Sequence, residues 1–265
     1  MNFFRENILR SLLSSLESNP KVHGAWEGGS AANGSTDQFS DIDLIIFGSD
    51  SIDEIFDSIE STLDENYSIT HKYTEKLQFL PDYYQRIYFI EGAPKHFFLD
   101  IGIFLKESEG VFTELLQIER HGTPVIYFDK LDLIKPIACN IEKIKIKHRE
   151  RLSEIEGFFP VYKTLVLKEL DRGNSIDAFA FYFGGLLKPL VELMGMLHRP
   201  FQFDFNLRYL HKSFPEKDRK TIENLLYVPS EKILRERISI IDTLFDETRL
   251  KVKEHLGKTN RDIID

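Results

Sequence analysis

Glu27-Gly-Gly-Ser-Ala-Ala-Asn-Gly-Ser-Thr-Asp-Gln-Phe-Ser-Asp41-Ile-Asp43-Leu-Ile-Ile-Phe47 joins a turn of small residues to two carboxylates one residue apart. Val22 to Trp26 reads as a short strand running into Gly28-Gly29-Ser30, and Ile42 to Phe47 as a second, stopped by Gly48-Ser49-Asp50. Side chains two apart on a strand share a face, so Asp41 and Asp43 project together while Ile42 and Leu44 point the other way. Adjacent carboxylates repel unless a cation compensates them. An oxygen-rich pair suits magnesium, which is usually held by one or two carboxylates plus substrate phosphates. The plain alternative for the pair alone is a solvated strand edge. Gly29 lets backbone approach a ligand closely, and the Ser30 hydroxyl with neighbouring N–H groups can cradle phosphate oxygens. An ordinary tight turn is the plain alternative there. The order of strand, small turn and paired-Asp strand points to metal-dependent chemistry on a nucleoside triphosphate.

Composition narrows the field. The chain has 265 residues, 42% hydrophobic with 22 Phe, enough for one large domain or two modest ones. Thirty-four basic residues against 43 acidic ones give a net charge of -9. That argues against general nucleic-acid binding, which needs a basic surface. It also argues, with the Gly-Ser turn, against a nuclease built on clustered carboxylates. The single cysteine, Cys139, allows no disulfide within the chain and no cysteine zinc site, and fits a reducing, cytoplasmic setting. Charges interrupt the N-terminal apolar residues, so no secretory signal is expected. No uninterrupted apolar run is expected to reach membrane-spanning length, and the protein is expected to be soluble.

Phe4, Ile8, Leu12 and Leu16 recur at helical spacing, and Ile52, Ile55, Phe56, Ile59 and Leu63 mark a second amphipathic helix. Between Tyr67 and Leu105 the chain reads as β-rich. Tyr67 to Tyr73 is one strand, and Arg86 to Ile90 with His96 to Leu105 forms a hairpin about Glu91-Gly-Ala-Pro94. Val111 to Ile118 reads as helix and Pro124 to Phe128 as a strand. Beyond residue 130 helical spacing dominates. Ile137, Ile141, Ile144, His148, Leu152 and Ile155 form one stripe, and Val161 to Leu170 a further helix. Ile176 to Leu197 is a long apolar region in which Pro189 implies a kink or a new helix. Ile222 to Leu226 and Ile233 to Val252 complete this half.

Gly29-Ser30, Gly34 and Ser40-Asp41-Ile42-Asp43-Leu44 resemble the signature of the DNA polymerase β-like nucleotidyltransferase superfamily. The form is typical of its small-molecule branch, which includes the aminoglycoside and lincosamide enzymes, and of its minimal branch. The motif spans about twenty residues, and the order of elements extends the likeness over roughly the first 130. The resemblance implies an α+β fold: a catalytic domain over 1–130, with a mixed sheet and flanking helices, then an all-α domain over 131–265 that binds the acceptor.

It further implies a third carboxylate on a later strand. Asp100, within His96-Phe-Phe-Leu-Asp-Ile-Gly-Ile-Phe104, is the candidate; a buried Asp satisfied by Arg86 or a backbone donor is the alternative. Asp41, Asp43 and Asp100 would be the catalytic and metal-binding residues, holding Mg2+. Gly29 and Ser30 would position the phosphates of the donor, usually ATP in such relatives. An acceptor hydroxyl would attack the α-phosphorus and pyrophosphate would leave. A small hydroxyl-bearing acceptor is the leading expectation. A protein or RNA acceptor, or a non-catalytic regulatory role, is the alternative.

The segment from Lys188 to Lys212 holds the candidate ligand contacts of the helical half. By the same resemblance, Arg199, Tyr209 and Lys212 fall where relatives place nucleotide or acceptor contacts, Lys212 being taken as the nucleotide contact; each has a surface residue as its alternative. Lys188 and Glu192, four apart on a helix, read as an exposed ion pair. The run Lys143, Lys145, Lys147, Arg149 and Arg151 reads as a solvated face, His148 as a packing histidine and Trp26 as core.

Overall fold

The computed structural model describes residues 3–49, 51–75, 83–105 and 113–257. The chain divides into two compact units, Met1–Cys139 and Asn140–Asp265. In the first, α1 (Phe3–Ser18) is followed by β1 (Val22–Glu27), the one-turn helix α2 (Gly29–Ala32) and β2 (Ile42–Gly48). Then come α3 (Ile52–Asn66), β3 (Ile69–Glu75), β4 (Tyr83–Ile90), β5 (Leu99–Leu105), α4 (Ile118–His121) and β6 (Val125–Asp129). Of the helix expected over Val111 to Ile118, residues 111 and 112 lie outside the described residues and 113–115 are helical; the helix breaks at Leu116, Gln117 forms a parallel bridge to Ile137, and α4 starts at Ile118.

The sheet is mixed, in the order β3-β4-β5-β2-β1-β6. Only β2 and β5 run parallel; the other neighbours, including the expected β4–β5 hairpin, are antiparallel. Alternation then sorts the side chains. Ile42, Leu44, Ile46, Leu99, Ile101 and Ile103 pack with the apolar stripes of α1 and α3. Trp26, Phe47 and Phe104 join Leu116 and Ile134 in a smaller cluster, so Trp26 is core. The central parallel pair is thus held by apolar residues beneath the end that carries the carboxylates.

The second unit is helical. Its first helix, α5 (Ile141–Asp171), is capped by the Asn140 side chain, which accepts from the Lys143 N–H at 3.0 Å. The two helices expected over residues 137–170 are one helix that runs through Pro160. An internal proline costs about 3 kcal/mol. Burial of Ile155, Phe159, Val166 and Leu170 on both sides of it offsets that cost, at about 1.5–3 kcal/mol per large apolar side chain.

Next come α6 (Ser175–Tyr182), a π-helical turn (Phe183–Leu187) and α7 (Lys188–His198), continuous along the chain. Pro189 offers no N–H to the ladder, and the wider turn just before it shifts the hydrogen-bond register. Ser175–His198, interrupted by Asp177, Lys188 and Glu192, is one stretch long and apolar enough to cross a membrane by length and composition, and 67% of its most apolar window is buried in the structure. The helices α8 (Leu210–Ser213), α9 (Glu216–Leu226) and α10 (Glu231–Leu256) close the unit.

Candidate active site

The turn after β1 owes its shape to one glycine. Gly29 has φ +52°, a region that favours glycine, and a Cβ there would lie 1.6 Å from Asp43 Oδ2. The Asp43 carboxylate therefore sits directly against the turn. The Gly28 N–H donates to the Asp43 carbonyl at 3.0 Å, and the Asn33 side chain donates to the Gly29 carbonyl at 2.7 Å. Ser30 Oγ is buried and has no hydrogen-bond partner among the described residues. A buried hydroxyl in that state calls for a partner, such as ordered water or a ligand.

Ser40 sets the entry to β2. Its hydroxyl accepts from the Asp37 N–H at 2.8 Å and donates to Asp37 Oδ1 at 3.1 Å. Asp41 follows directly. In the parallel ladder Asp43 pairs with Asp100, so the two carboxylates share one face at the same level. Burial pushes the Asp41 carboxyl above its ordinary range, against its own backbone hydrogen bond and the nearby Arg5 charge. Burial likewise pushes Asp100 up; a hydrogen bond from Gln85 opposes this and the Asp41 charge adds to it. The three expected carboxylates thus belong to one electrostatic neighbourhood.

Among the described residues, no three His, Cys, Asp or Glu side chains come together closely enough to hold an ion by themselves. The donor set still fits magnesium, because this ion is commonly held by one or two carboxylates while phosphates and water complete its shell. Asp43 and Asp100 supply the register pair. Ser30 Oγ and the side-chain-free approach at Gly29 lie beside this pair.

Two supports of this site come from residues the sequence did not single out. Arg5 of α1 donates from Nε to the Asp41 carbonyl at 3.2 Å and forms a buried ion pair with Glu27. Glu27 also accepts from the Tyr127 hydroxyl at 2.5 Å. One guanidinium therefore ties together the two ends of the 27–41 segment. On β4, Gln85 Nε2 donates to Asp100 Oδ1 at 2.5 Å. Tyr83 lies over Gly102, where a Cβ would come within 2.2 Å of its hydroxyl. Burial and the charges of Asp100 and Asp43 hold that phenol in its neutral form. Arg86, considered as a partner for Asp100, instead pairs with Glu60 at 3.0 Å and Asp53 at 3.3 Å.

The candidates of the second unit lie as follows. Lys212 is exposed on α8, its ammonium 5.4 Å from the Tyr209 ring centroid. Arg199 is buried and donates to the carbonyls of Asn206 and Arg208, which staples the loop before α8. The exposed Lys188–Glu192 pair is corrected: Glu192 is buried and takes a two-pronged contact from Arg151 at 2.6 and 3.2 Å. Arg151 and the buried Lys145 also depart from the solvated face expected of the basic run. His148 packs as expected, with Nε2 2.9 Å from the Pro200 carbonyl and its ring against Phe203.

Residues 9–107, within the first unit, match the family model described as a nucleotidyltransferase domain.

No curated protein gives a significant match. Solved structures give distant likenesses. An aminoglycoside 6-adenyltransferase from Bacillus subtilis is 14% identical, over 96% of this chain and 91% of that one, with a TM-score of 0.40. A nucleotidyltransferase-like protein from Exiguobacterium sibiricum is 12% identical, over 93% and 77%, with a TM-score of 0.41. The spectinomycin adenyltransferase of Enterococcus faecialis, with ATP and spectinomycin, is 9% identical, over 96% and 100%, with a TM-score of 0.36. Scores this low carry no argument about donor or acceptor.

Proposed function

We propose that the protein transfers AMP from ATP to a hydroxyl of a small molecule, an antibiotic-like acceptor being one candidate class, and releases pyrophosphate. The observation that carries this reading is the placement of Asp43, in register with Asp100 and against the side-chain-free Gly29. A carboxylate pair is there brought against the glycine-serine turn. Asp41, Asp43 and Asp100 would hold magnesium, which when bound neutralises charge on the phosphates. Ser30 Oγ and the turn backbone orient the β- and γ-phosphates. Asp100, with its raised proton affinity, is suited to take the acceptor proton. The remaining contribution is alignment of the attacking oxygen with the α-phosphorus.

The reading extends to a cytoplasmic location and to an acceptor-binding role for the helical unit, with Lys212 as its nucleotide contact. The test is pyrophosphate release from labelled nucleotides with magnesium and a panel of hydroxyl compounds. Transfer that survives unchanged in Asp43→Asn would remove the proposed mechanism.

A further inference from the structure

We infer that Gln85 is a positioning residue for Asp100, an inference that rests on the nucleotidyl-transfer reading above. Gln85 and Asp100 lie diagonally across the antiparallel β4–β5 pair, on one face, and the amide holds Oδ1 at 2.5 Å. Fixing one oxygen fixes the plane of the carboxylate, and with it the direction in which Oδ2 points.

The residue type matters. A neutral amide donates without cancelling the charge that a cation needs. The next residue on the strand shows the contrast, since Arg86 spends its guanidinium neutralising Glu60 and Asp53. Tyr83 completes the arrangement. Its ring is tilted against Phe104 at 4.5 Å and occupies the space left open by Gly102. Gln85 and Tyr83 are two apart on β4, so both face the Asp100 side of the sheet. Partners of this kind, one shell beyond the metal, typically change metal affinity 10- to 100-fold when removed.

The test compares Gln85→Met, which keeps length and loses the donor, with Gln85→Leu, Asp43→Asn and the wild type. Manganese binding in the presence of a non-hydrolysable ATP analogue is followed by electron paramagnetic resonance. Analogue binding in chelator is followed by calorimetry, and folding by thermal melts. The expected result is manganese affinity about 10- to 100-fold weaker in both Gln85 variants, with metal-free nucleotide affinity unchanged.

Wild-type manganese affinity in both variants, with loss in Asp43→Asn, overturns the role of Gln85 and leaves the transfer reading standing. Parallel loss of metal-free affinity, or unfolding of both variants, assigns Gln85 to general architecture and overturns the role as well. Absent wild-type binding, or binding unchanged in Asp43→Asn, overturns the transfer reading and this inference with it.

Discussion

Asp43 and Asp100 are register partners across the one parallel strand pair of the sheet. Every other pairing in the sheet is antiparallel, so a carboxylate on β2 and one on β5 reach the same end of the sheet only because these two strands run together. The apolar residues between them and α1 and α3 hold that alignment. The proposed transfer therefore depends on how closely the turn after β1 can approach the pair.

Gly29→Ala tests that approach directly. The new methyl would overlap the Asp43 carboxylate, and the backbone there is left-handed. A displacement of about 1 Å in a reacting group can cost about 100-fold in rate. Transfer activity should fall by at least that order, with a modest drop in melting temperature, as read by pyrophosphate release and calorimetry.

Ser30→Ala should behave oppositely in stability. The Ser30 hydroxyl is buried and has no partner among the described residues, so its removal leaves no bond broken in the fold. Unfolding free energy should stay within about 0.5 kcal/mol of wild type. Nucleotide affinity should weaken about 10-fold, equivalent to ~1.4 kcal/mol. Denaturant titration and calorimetric binding separate the two effects.

Arg5→Met removes one partner of a buried ion pair and leaves Glu27, which is 1% exposed, uncompensated apart from Tyr127. The expected destabilisation is about 3–5 kcal/mol. Arg5→Met combined with Glu27→Gln should recover a large part of it, because the stranded charge is gone. A denaturant-based double-mutant cycle measures the coupling.

The π-helical turn offers a paired test in the second unit. A Cβ at Gly185 would lie 2.1 Å from the Tyr162 ring, whereas one at Gly184 meets nothing within 4 Å. Gly185→Ala should destabilise by about 1–3 kcal/mol through overpacking. Gly184→Ala should stabilise by about 0.4–1 kcal/mol through the unfolded chain. Thermal melts of the two variants should therefore move in opposite directions.

His148 gives a pH signature. Burial lowers its pKa to about 4, against the Pro200 hydrogen bond and with help from His255. A depressed histidine pKa means that the neutral ring is favoured in the fold. Its stabilising contribution is complete above the ordinary value near 6.5. It is lost as pH falls from there toward 4, by an amount of order 3 kcal/mol. His148→Gln should remove this acid sensitivity, so unfolding curves at pH 7 and pH 4.5 should differ less in the variant than in the wild type.

The first unit was readable where a pattern is local. The stripe Ile8, Leu12 and Leu16, the hairpin about Glu91-Gly-Ala-Pro94 and the strand Ile42 to Phe47 each carry their period within a short window. The second unit shows where such patterns stop. Pro160 marks a break by its chemistry, yet the helix continues because its flanking residues are buried in a common core. Glu192 and Lys188 satisfy the spacing of a helical ion pair, yet Glu192 pairs with Arg151 from another helix. Burial on one side of a helix depends on what packs there, which spacing alone does not contain.

Residues 27–47 carry the proposed chemistry by themselves: a glycine that tolerates a positive φ, a serine beside it and two carboxylates one residue apart are local properties, fixed by covalent geometry. Their partners are not local. Gln85 on Asp100, Arg5 on Glu27 and Asp41, and Tyr83 over Gly102 are contacts made only once β4, β5 and α1 have docked on the sheet. A glutamine or an arginine carries no sign in sequence of which carboxylate it will face. Strand order and register decide that, because they select which side chains meet.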